Sequence, residues 1–150
     1  MWYNLVKSDI GRLPDMIEYY LQEVDAAHTE TKISGSLEKN AQDLPGIMSY
    51  RFSQLQEIEA VLKWLTIQYD KIRSDNYRKY LEKYNRDLSD RSIEKYLDGE
   101  KDIVDMNYLM NEVALVRNKY LAIIKALEVK QFQIGHIVKL RVVGINDATL

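Results

Sequence analysis

The apolar residues of this chain repeat at alternating spacings of three and four, and this repeat constrains the fold more than any other feature. It runs through two stretches, residues 55–72 and residues 106–137. In the first stretch it consists of Leu55, Ile58, Leu62, Leu65, Tyr69 and Ile72. Such a heptad stripe occupies one face of an α-helix, so each stretch predicts a long amphipathic helix that must bury that face.

Residues that break helices are scarce, which also favours long helices. The 150 residues include six glycines and two prolines, and both prolines precede residue 47. We therefore predict an all-α fold built from long amphipathic helices that assemble as a helical homo-oligomer.

The first 46 residues differ from the rest. Pro14 and Asp15 indicate the start of a short amphipathic helix, and residues 29–36 are typical of a linker. Leu44-Pro45-Gly46 is expected to close this part. Residues 1–62 carry 10 acidic and 5 basic side chains. We therefore divide the chain into residues 1–46, a possible protein-binding arm, and a helical domain over residues 47–150.

The stripe of the second stretch is a candidate surface for self-association. It consists of Met106, Leu109, Val113, Val116, Tyr120, Ile123, Leu127, Ile134 and Ile137. Met110, Leu121 and Ile124 flank it and make the apolar face wider than the contact of a two-stranded coiled coil. This face needs a partner, which is either the preceding long helix or another copy of the chain.

The composition argues against most catalytic and cofactor chemistry. The chain has no cysteine, and its two histidines do not belong to a metal-binding motif. Its glycines are too sparse for a phosphate-binding loop, and its acidic clusters lack the paired Glu-x-x-Glu spacing of helical magnesium hydrolases. We therefore expect no enzymatic activity, no metal and no cofactor.

The sequence also lacks the pattern of a membrane or exported protein. No basic start precedes a long apolar stretch, and no window reaches the roughly 18 apolar residues of a membrane span. A soluble, cytoplasmic protein without a membrane partner is the expectation.

A basic belt interleaved with tyrosines occupies the middle of the chain. Residues 63–95 carry 9 basic and 6 acidic side chains. Aromatic rings beside cations suit single-stranded nucleic acid, because bases stack on tyrosine while lysine and arginine neutralise phosphates. The candidate DNA-binding residues are Lys71, Arg73, Tyr77, Arg78, Lys79, Tyr80, Lys83 and Tyr84. The alternative is a coiled-coil scaffold with no nucleic-acid role, in which the tyrosines pack between helices and the cations solvate a surface.

Three segments resemble the UvsY family, the recombination mediators of T-even-type phages. Lys71-Ile72-Arg73-Ser74-Asp75-Asn76-Tyr77 is similar to the family's DNA-binding stretch Lys-x-Arg-x-Asp-x-Tyr. Residues 97–104 resemble the acidic turn before its last long helix, and residues 132–141 resemble its closing Phe-x-Ile-x-His-Ile motif. The resemblance covers about residues 55–141. It departs from the family pattern after Arg73, where a Tyr-Tyr-x-Gly sequence is replaced by Asn76-Tyr77-Arg78-Lys79.

The resemblance implies a non-catalytic role in DNA recombination, repair and replication. Such a protein binds single-stranded DNA and helps to load a RecA-like phage recombinase onto strand covered by the phage single-strand-binding protein. It works as a ring-like homo-oligomer, a hexamer or a heptamer, in the host cytoplasm. On this basis Lys71 and Arg73 are expected to contact phosphates, with support from Arg78, Lys79 and Lys83, and Tyr77, Tyr80 and Tyr84 are expected to stack on bases.

Overall fold

The structure, a computed structural model, describes residues 1–83 and 88–145. Within these two ranges the regular structure is entirely helical, which confirms the predicted all-α class. The helices are α1 (Trp2–Ser8), α2 (Leu13–Glu30), α3 (Leu37–Lys83), α4 (Asp90–Leu97) and α5 (Lys101–Val142). A short 3-10 turn, Ile10–Arg12, joins α1 to α2.

The two heptad stripes belong to α3 and α5, which pack against each other as an antiparallel hairpin. Asn76 of α3 donates to Asp102 of α5 at one end, with a distance of 2.9 Å between Nδ2 and Oδ2. At the other end, Leu44 and Ile134 share one apolar cluster. Early residues of α3 therefore meet late residues of α5, and each helix buries its stripe on the other.

The shorter helix α2 completes a three-helix core. It buries one residue in every three or four, namely Leu13, Met16, Tyr20, Val24 and Ala27. The Tyr20 ring meets the ring of Tyr120 from α5 edge to face, with centroids 5.6 Å apart. Pro14 lies in the first turn of α2 as predicted, because a helix needs no backbone donor there.

Helix α1 packs across the outside of this core. Val6 is completely buried, and the backbone N–H of Tyr3 donates to Glu57 of α3 at 3.0 Å. The Trp2 ring lies 5.6 Å from the ring of Tyr19. The sequence analysis did not predict α1, because seven residues are too few for an apolar period to emerge.

The expected end of the N-terminal part at Leu44-Pro45-Gly46 does not occur. Helix α3 begins at Leu37 and continues through these residues, so it crosses the boundary placed after residue 46. An internal proline costs about 3 kcal/mol. Burial of Leu44 and partial burial of Ile47 and Met48 against the end of α5 offset this cost.

Candidate nucleic-acid interface

The predicted DNA-binding residues lie on the last four turns of α3, where the basic belt is part of a continuous helix. Residues 71–83 belong to α3, and Tyr84 lies outside the described residues. Over residues 63–83 the sequence has six basic and three acidic side chains, a net charge of +3. The positive charge of the belt therefore sits on this one helix.

Four of the predicted cations are exposed. Lys71, Arg78, Lys79 and Lys83 all project into solvent. None of the four forms an ion pair with another described residue. Because Lys71 and Arg78 are seven residues apart, they share one side of the helix, and Lys79 and Lys83 share a neighbouring side. These four side chains can reach a phosphate backbone without any change in the fold.

Arg73 is different, because a carboxylate already holds it. Its Nη1 donates to Oδ1 of Asp98 at 3.0 Å and lies 3.4 Å from the hydroxyl of Tyr69. The hydrogen bond to Asp98 raises the pKa of the Arg73 guanidinium. Its side chain is 30% exposed, whereas that of Asp98 is 69% exposed. This ion pair is therefore open to water and to competing anions.

The predicted stacking tyrosines are also engaged by carboxylates. The Tyr77 hydroxyl donates to Oδ1 of Asp90 at 2.8 Å, and this hydrogen bond raises the pKa of the phenol. The Tyr80 hydroxyl donates to Glu100. The Tyr80 ring also stacks on Tyr96, with centroids 5.9 Å apart and an angle of 18° between the planes. Both rings are half-buried in the structure.

Helix α4 covers these tyrosines. Ile93 and Leu97 of α4, together with Ile103 of α5, are almost completely buried and form a small apolar cluster beneath Tyr77 and Tyr80. The sequence analysis missed α4. Its signals are the i, i+4 spacing of Ile93 and Leu97 and a preceding N-cap, Ser89, whose hydroxyl accepts the N–H of Ser92.

An open groove of about 300 Å³ separates α3 from α4. Arg73, Ser74 and Tyr77 line one wall together with Asp70, and Glu94 lies on the opposite wall with Leu97. Because carboxylates lie on both walls, the groove is a poor place for a phosphate. The four exposed cations lie outside this groove, on the outward sides of α3.

The start of α5 is fixed to α3 by a buried amide. Asn76 is 6% exposed, and its Nδ2 donates to the carbonyl of Ile72 at 3.0 Å and to Asp102. Asp102 lies in the first turn of α5, after the N-cap Glu100, and its side chain joins the two helices.

The nine residues predicted for self-association lie mostly inside the chain. Seven of them are buried against other helices, namely Met106, Val113, Val116, Tyr120, Ile123, Leu127 and Ile134. Leu109 and Ile137 are half-buried. Of the two partners that the apolar pattern allowed for this face, the structure shows the preceding long helix.

A second apolar surface of α5 is left exposed. We define the outer face of α5 as Leu115, Leu121, Val129, Phe132 and Leu140, which are between 45% and 69% exposed. These residues point away from the side of α5 that packs on α3. The outer face, and not the predicted stripe, is the apolar surface of α5 that another molecule could contact.

A polar network that the sequence analysis did not single out lies at the other end of the hairpin. Arg51 is 3% exposed, and its guanidinium donates to both carboxylate oxygens of Glu30, at 2.8 and 2.7 Å. It also donates to Glu23 at 2.7 Å and to Gln54 at 2.9 Å. The hydrogen bonds to Glu30 raise the pKa of Arg51 most strongly. The guanidinium is therefore permanently charged and buried among its acceptors, so it holds α2 on α3 and is not accessible to a ligand.

The described part of the chain contains neither a cluster of metal-ligating side chains nor a membrane-spanning helix. Among residues 1–83 and 88–145, no three histidine, aspartate or glutamate side chains come together as a metal ion would require. No helix within the same ranges has the length and apolar character needed to cross a membrane. The chain was compared with protein-family models, with curated proteins and with solved structures, and none of them matches it.

Proposed function

We propose that this protein binds single-stranded DNA through the last four turns of α3 and acts as a non-catalytic recombination mediator. In this role it helps to load a RecA-like recombinase onto strand covered by single-strand-binding protein. The observation that carries the DNA-binding part is the set of four exposed cations, Lys71, Arg78, Lys79 and Lys83, none of which is paired with a described residue.

The chemistry of these side chains suits a phosphate backbone. Lysine and arginine neutralise phosphates and release the counterions of the nucleic acid, which gives affinity without sequence preference. Asp75 and Glu82 lie among the cations on α3, but the net charge of residues 63–83 stays positive. We therefore expect modest affinity for one chain and a marked dependence on salt concentration.

The mediator part of the proposal rests on the resemblance to the UvsY family. The first of the three similar segments lies on α3, the second spans the end of α4 and the start of α5, and the third is in the last turns of α5. Self-association as a ring-like homo-oligomer belongs to this proposal. Because α2 and α3 bury the inner stripe, we place the contact between copies on the outer face of α5. Repetition of the cationic site in an oligomer would increase affinity by avidity.

Binding can be tested by the fluorescence anisotropy of a labelled oligothymidine strand at several salt concentrations. The variant Lys71→Ala/Arg78→Ala removes two of the four exposed cations. We expect weaker binding to strands of any sequence, and a salt dependence that is flatter by about 0.7 in log–log slope for each lost phosphate contact.

The matched control is Lys39→Ala/Lys119→Ala, which removes two exposed lysines that lie outside the belt and form no ion pair with a described residue. It changes the net charge by the same amount, so its binding curve should stay close to that of the original chain. Equal losses in the two double variants would mean that α3 has no dedicated site.

The half-buried tyrosines favour a second candidate, a helical scaffold without a nucleic-acid role. Tyr77 and Tyr80 pack on α4 and donate to carboxylates, as residues with a structural role do. The same titration decides between the two candidates. A scaffold should not bind the strand at low salt, and its sedimentation should not change when the strand is added.

A further inference from the structure

We propose that the segment of residues 89–100 is an internal competitor of single-stranded DNA, and that its carboxylates occupy α3 groups that a DNA strand takes over on binding. This inference rests on the proposed function. The segment contains α4 and the turn that leads into α5.

The segment binds the same side chains of α3 that are predicted to contact DNA. Three of the residues predicted to contact DNA, Arg73, Tyr77 and Tyr80, each donate a hydrogen bond to a carboxylate of this one segment. The acceptors are Asp98, Asp90 and Glu100. A carboxylate and a phosphate compete for the same guanidinium and hydroxyl donors, because both are anionic oxygen acceptors.

The segment is acidic, whereas the part of α3 that it covers is basic. Residues 89–100 contain four acidic and two basic side chains, whereas residues 63–83 of α3 have a net charge of +3. An acidic segment therefore lies on the basic part of α3, in the place that a polyanion would occupy. The Tyr96 ring stacked on Tyr80 occupies the position where a base would stack.

Helix α4 is attached to the rest of the molecule by few buried side chains. This helix has eight residues, and its buried side chains are Ile93 and Leu97. By contrast, α5 buries nine residues along its length. In the Arg73–Asp98 pair the carboxylate is largely exposed and the guanidinium partly exposed, so water and anions reach the pair without any prior movement. Helix α4 can therefore leave α3 while α2, α3 and α5 keep their common core.

These contacts define two levels of binding. With α4 in place, a strand meets the four exposed cations of α3. When α4 is displaced, the strand also gains the Arg73 guanidinium and the faces of Tyr77 and Tyr80. Neutralising the competing carboxylates should therefore strengthen binding, although none of them contacts the strand.

The test is the triple variant Asp90→Asn/Asp98→Asn/Glu100→Gln, which keeps the shape of each side chain and removes its charge. We expect it to bind labelled oligothymidine about tenfold more tightly than the original chain, since each carboxylate holds one donor through a partly exposed contact. Its salt dependence should be steeper by about 0.7 in log–log slope, because Arg73 becomes an additional phosphate contact.

The matched control is Asp70→Asn/Asp75→Asn/Glu82→Gln. These three carboxylates are exposed on the same part of α3, and their neutralisation changes the net charge equally. A general charge effect should strengthen binding equally in both triple variants. That result would overturn the proposal that residues 89–100 compete with DNA. A larger gain in the first triple variant supports it.

The outcome also separates this inference from the proposed function. If the original chain binds DNA and the first triple variant gains no more than the control, the competitor is wrong and the DNA-binding function stands. If neither the original chain nor the triple variant binds, the function itself fails. If only the triple variant binds, the competition is supported and the four exposed cations by themselves do not hold a strand.

The single variant Asp98→Asn guards against misfolding, because it removes an exposed carboxylate and leaves the contacts of α4 with Tyr77 and Tyr80 intact. We expect it to bind about twofold to threefold more tightly. Its helical circular dichroism should match that of the original chain. Unchanged affinity in this folded variant would argue against competition at Arg73.

Discussion

Two arginines of α3 show how differently the two ends of the hairpin are built. Arg51 has a side-chain exposure of 4% and binds two carboxylates, whereas Arg73 is 30% exposed and binds one carboxylate that is itself mostly in water. At the Arg51 end the polar groups are permanent parts of the core. At the Arg73 end they form contacts that an outside anion can replace. The same residue type is therefore part of the core at one end and lies in a solvent-accessible ion pair at the other.

The largest effect is expected where an unpaired charge enters the packed middle of the hairpin. Val116→Asp places a carboxylate at a position that is 2% exposed, between α5 and the rest of the core. It should lower the free energy of unfolding by at least about 4 kcal/mol, because a buried charge without a partner loses its hydration. Chemical denaturation followed by circular dichroism measures this.

The neighbouring substitution Leu115→Asp is the control, because Leu115 is 61% exposed on the outer face of α5. It should leave the free energy of unfolding nearly unchanged. If copies associate through that face, light scattering should show a smaller particle for this variant. A stable Val116→Asp protein would contradict the described core.

The next effect tests the buried network directly. Arg51→Ala removes the guanidinium and leaves Glu23, Glu30 and Gln54 without their common donor. We expect a loss of about 3 kcal/mol in the free energy of unfolding, since one partner of a largely buried pair disappears. Thermal and urea unfolding should agree. A loss below about 1 kcal/mol would mean that the ion pairs of Arg51 contribute as little to stability as the exposed pair of Arg73.

A pH titration should show a smaller effect at the same end. The hydrogen bond from Gln54 lowers the pKa of Glu23 most strongly; burial opposes this, and Arg51 lowers the pKa further. Because the folded pKa lies below the ordinary value of 4.5, this carboxylate stabilises the fold above that pH and loses its contribution as the pH falls through the folded pKa.

Melting temperatures measured between neutral pH and about pH 3 should therefore fall less steeply in Glu23→Gln than in the original chain. Glu18→Gln, which changes an exposed carboxylate of the same helix, should follow the original curve. If the melting temperatures of all three proteins fall in parallel, Glu23 does not contribute to the pH dependence of stability.

The smallest effect on stability is expected at the open end. Arg73→Ala breaks one exposed ion pair, so the free energy of unfolding should change by no more than about 1 kcal/mol. Measurement beside Arg51→Ala under the same conditions gives the difference between the two ends directly. A loss as large as that of Arg51→Ala would show that Arg73 is structural.

Much of the fold could be predicted from the sequence because long helices repeat their signal many times. The stripes of residues 55–72 and 106–137 each extend over several turns, and both face the core of the hairpin. Short elements give no such repetition, so α1 and α4 were missed. Local propensity predicts that a helix ends at Pro45, because a proline inside a helix is unfavourable. The packing of Leu44 that offsets this cost is visible only in three dimensions.

The candidate site was harder to predict, since its geometry depends on partners that are distant in sequence. A helical wheel places Arg73 and Tyr77 on one face of α3, but it cannot show that α4 folds back onto that face. The sequence does contain a signal for these contacts, namely polar residues that occupy stripe positions within or next to the heptad stripes. Arg51, Asn76 and Lys130 continue the spacing of the stripes, and each is buried with a partner. A polar residue at an apolar position therefore marks a place where two helices are joined.

The pairing of α3 with α5 also has a consequence for biosynthesis. The apolar stripe of α3 leaves the ribosome before the helix that covers it, and the 42 residues of α5 take roughly 2–8 s to synthesise at typical elongation rates. During that interval Leu55, Ile58 and Leu65 lack the helix that shields them in the finished protein. Nascent chains that stop before Lys101 should therefore aggregate or recruit chaperones. Synthesis of α5 ends this period, because α5 covers the exposed apolar stripe.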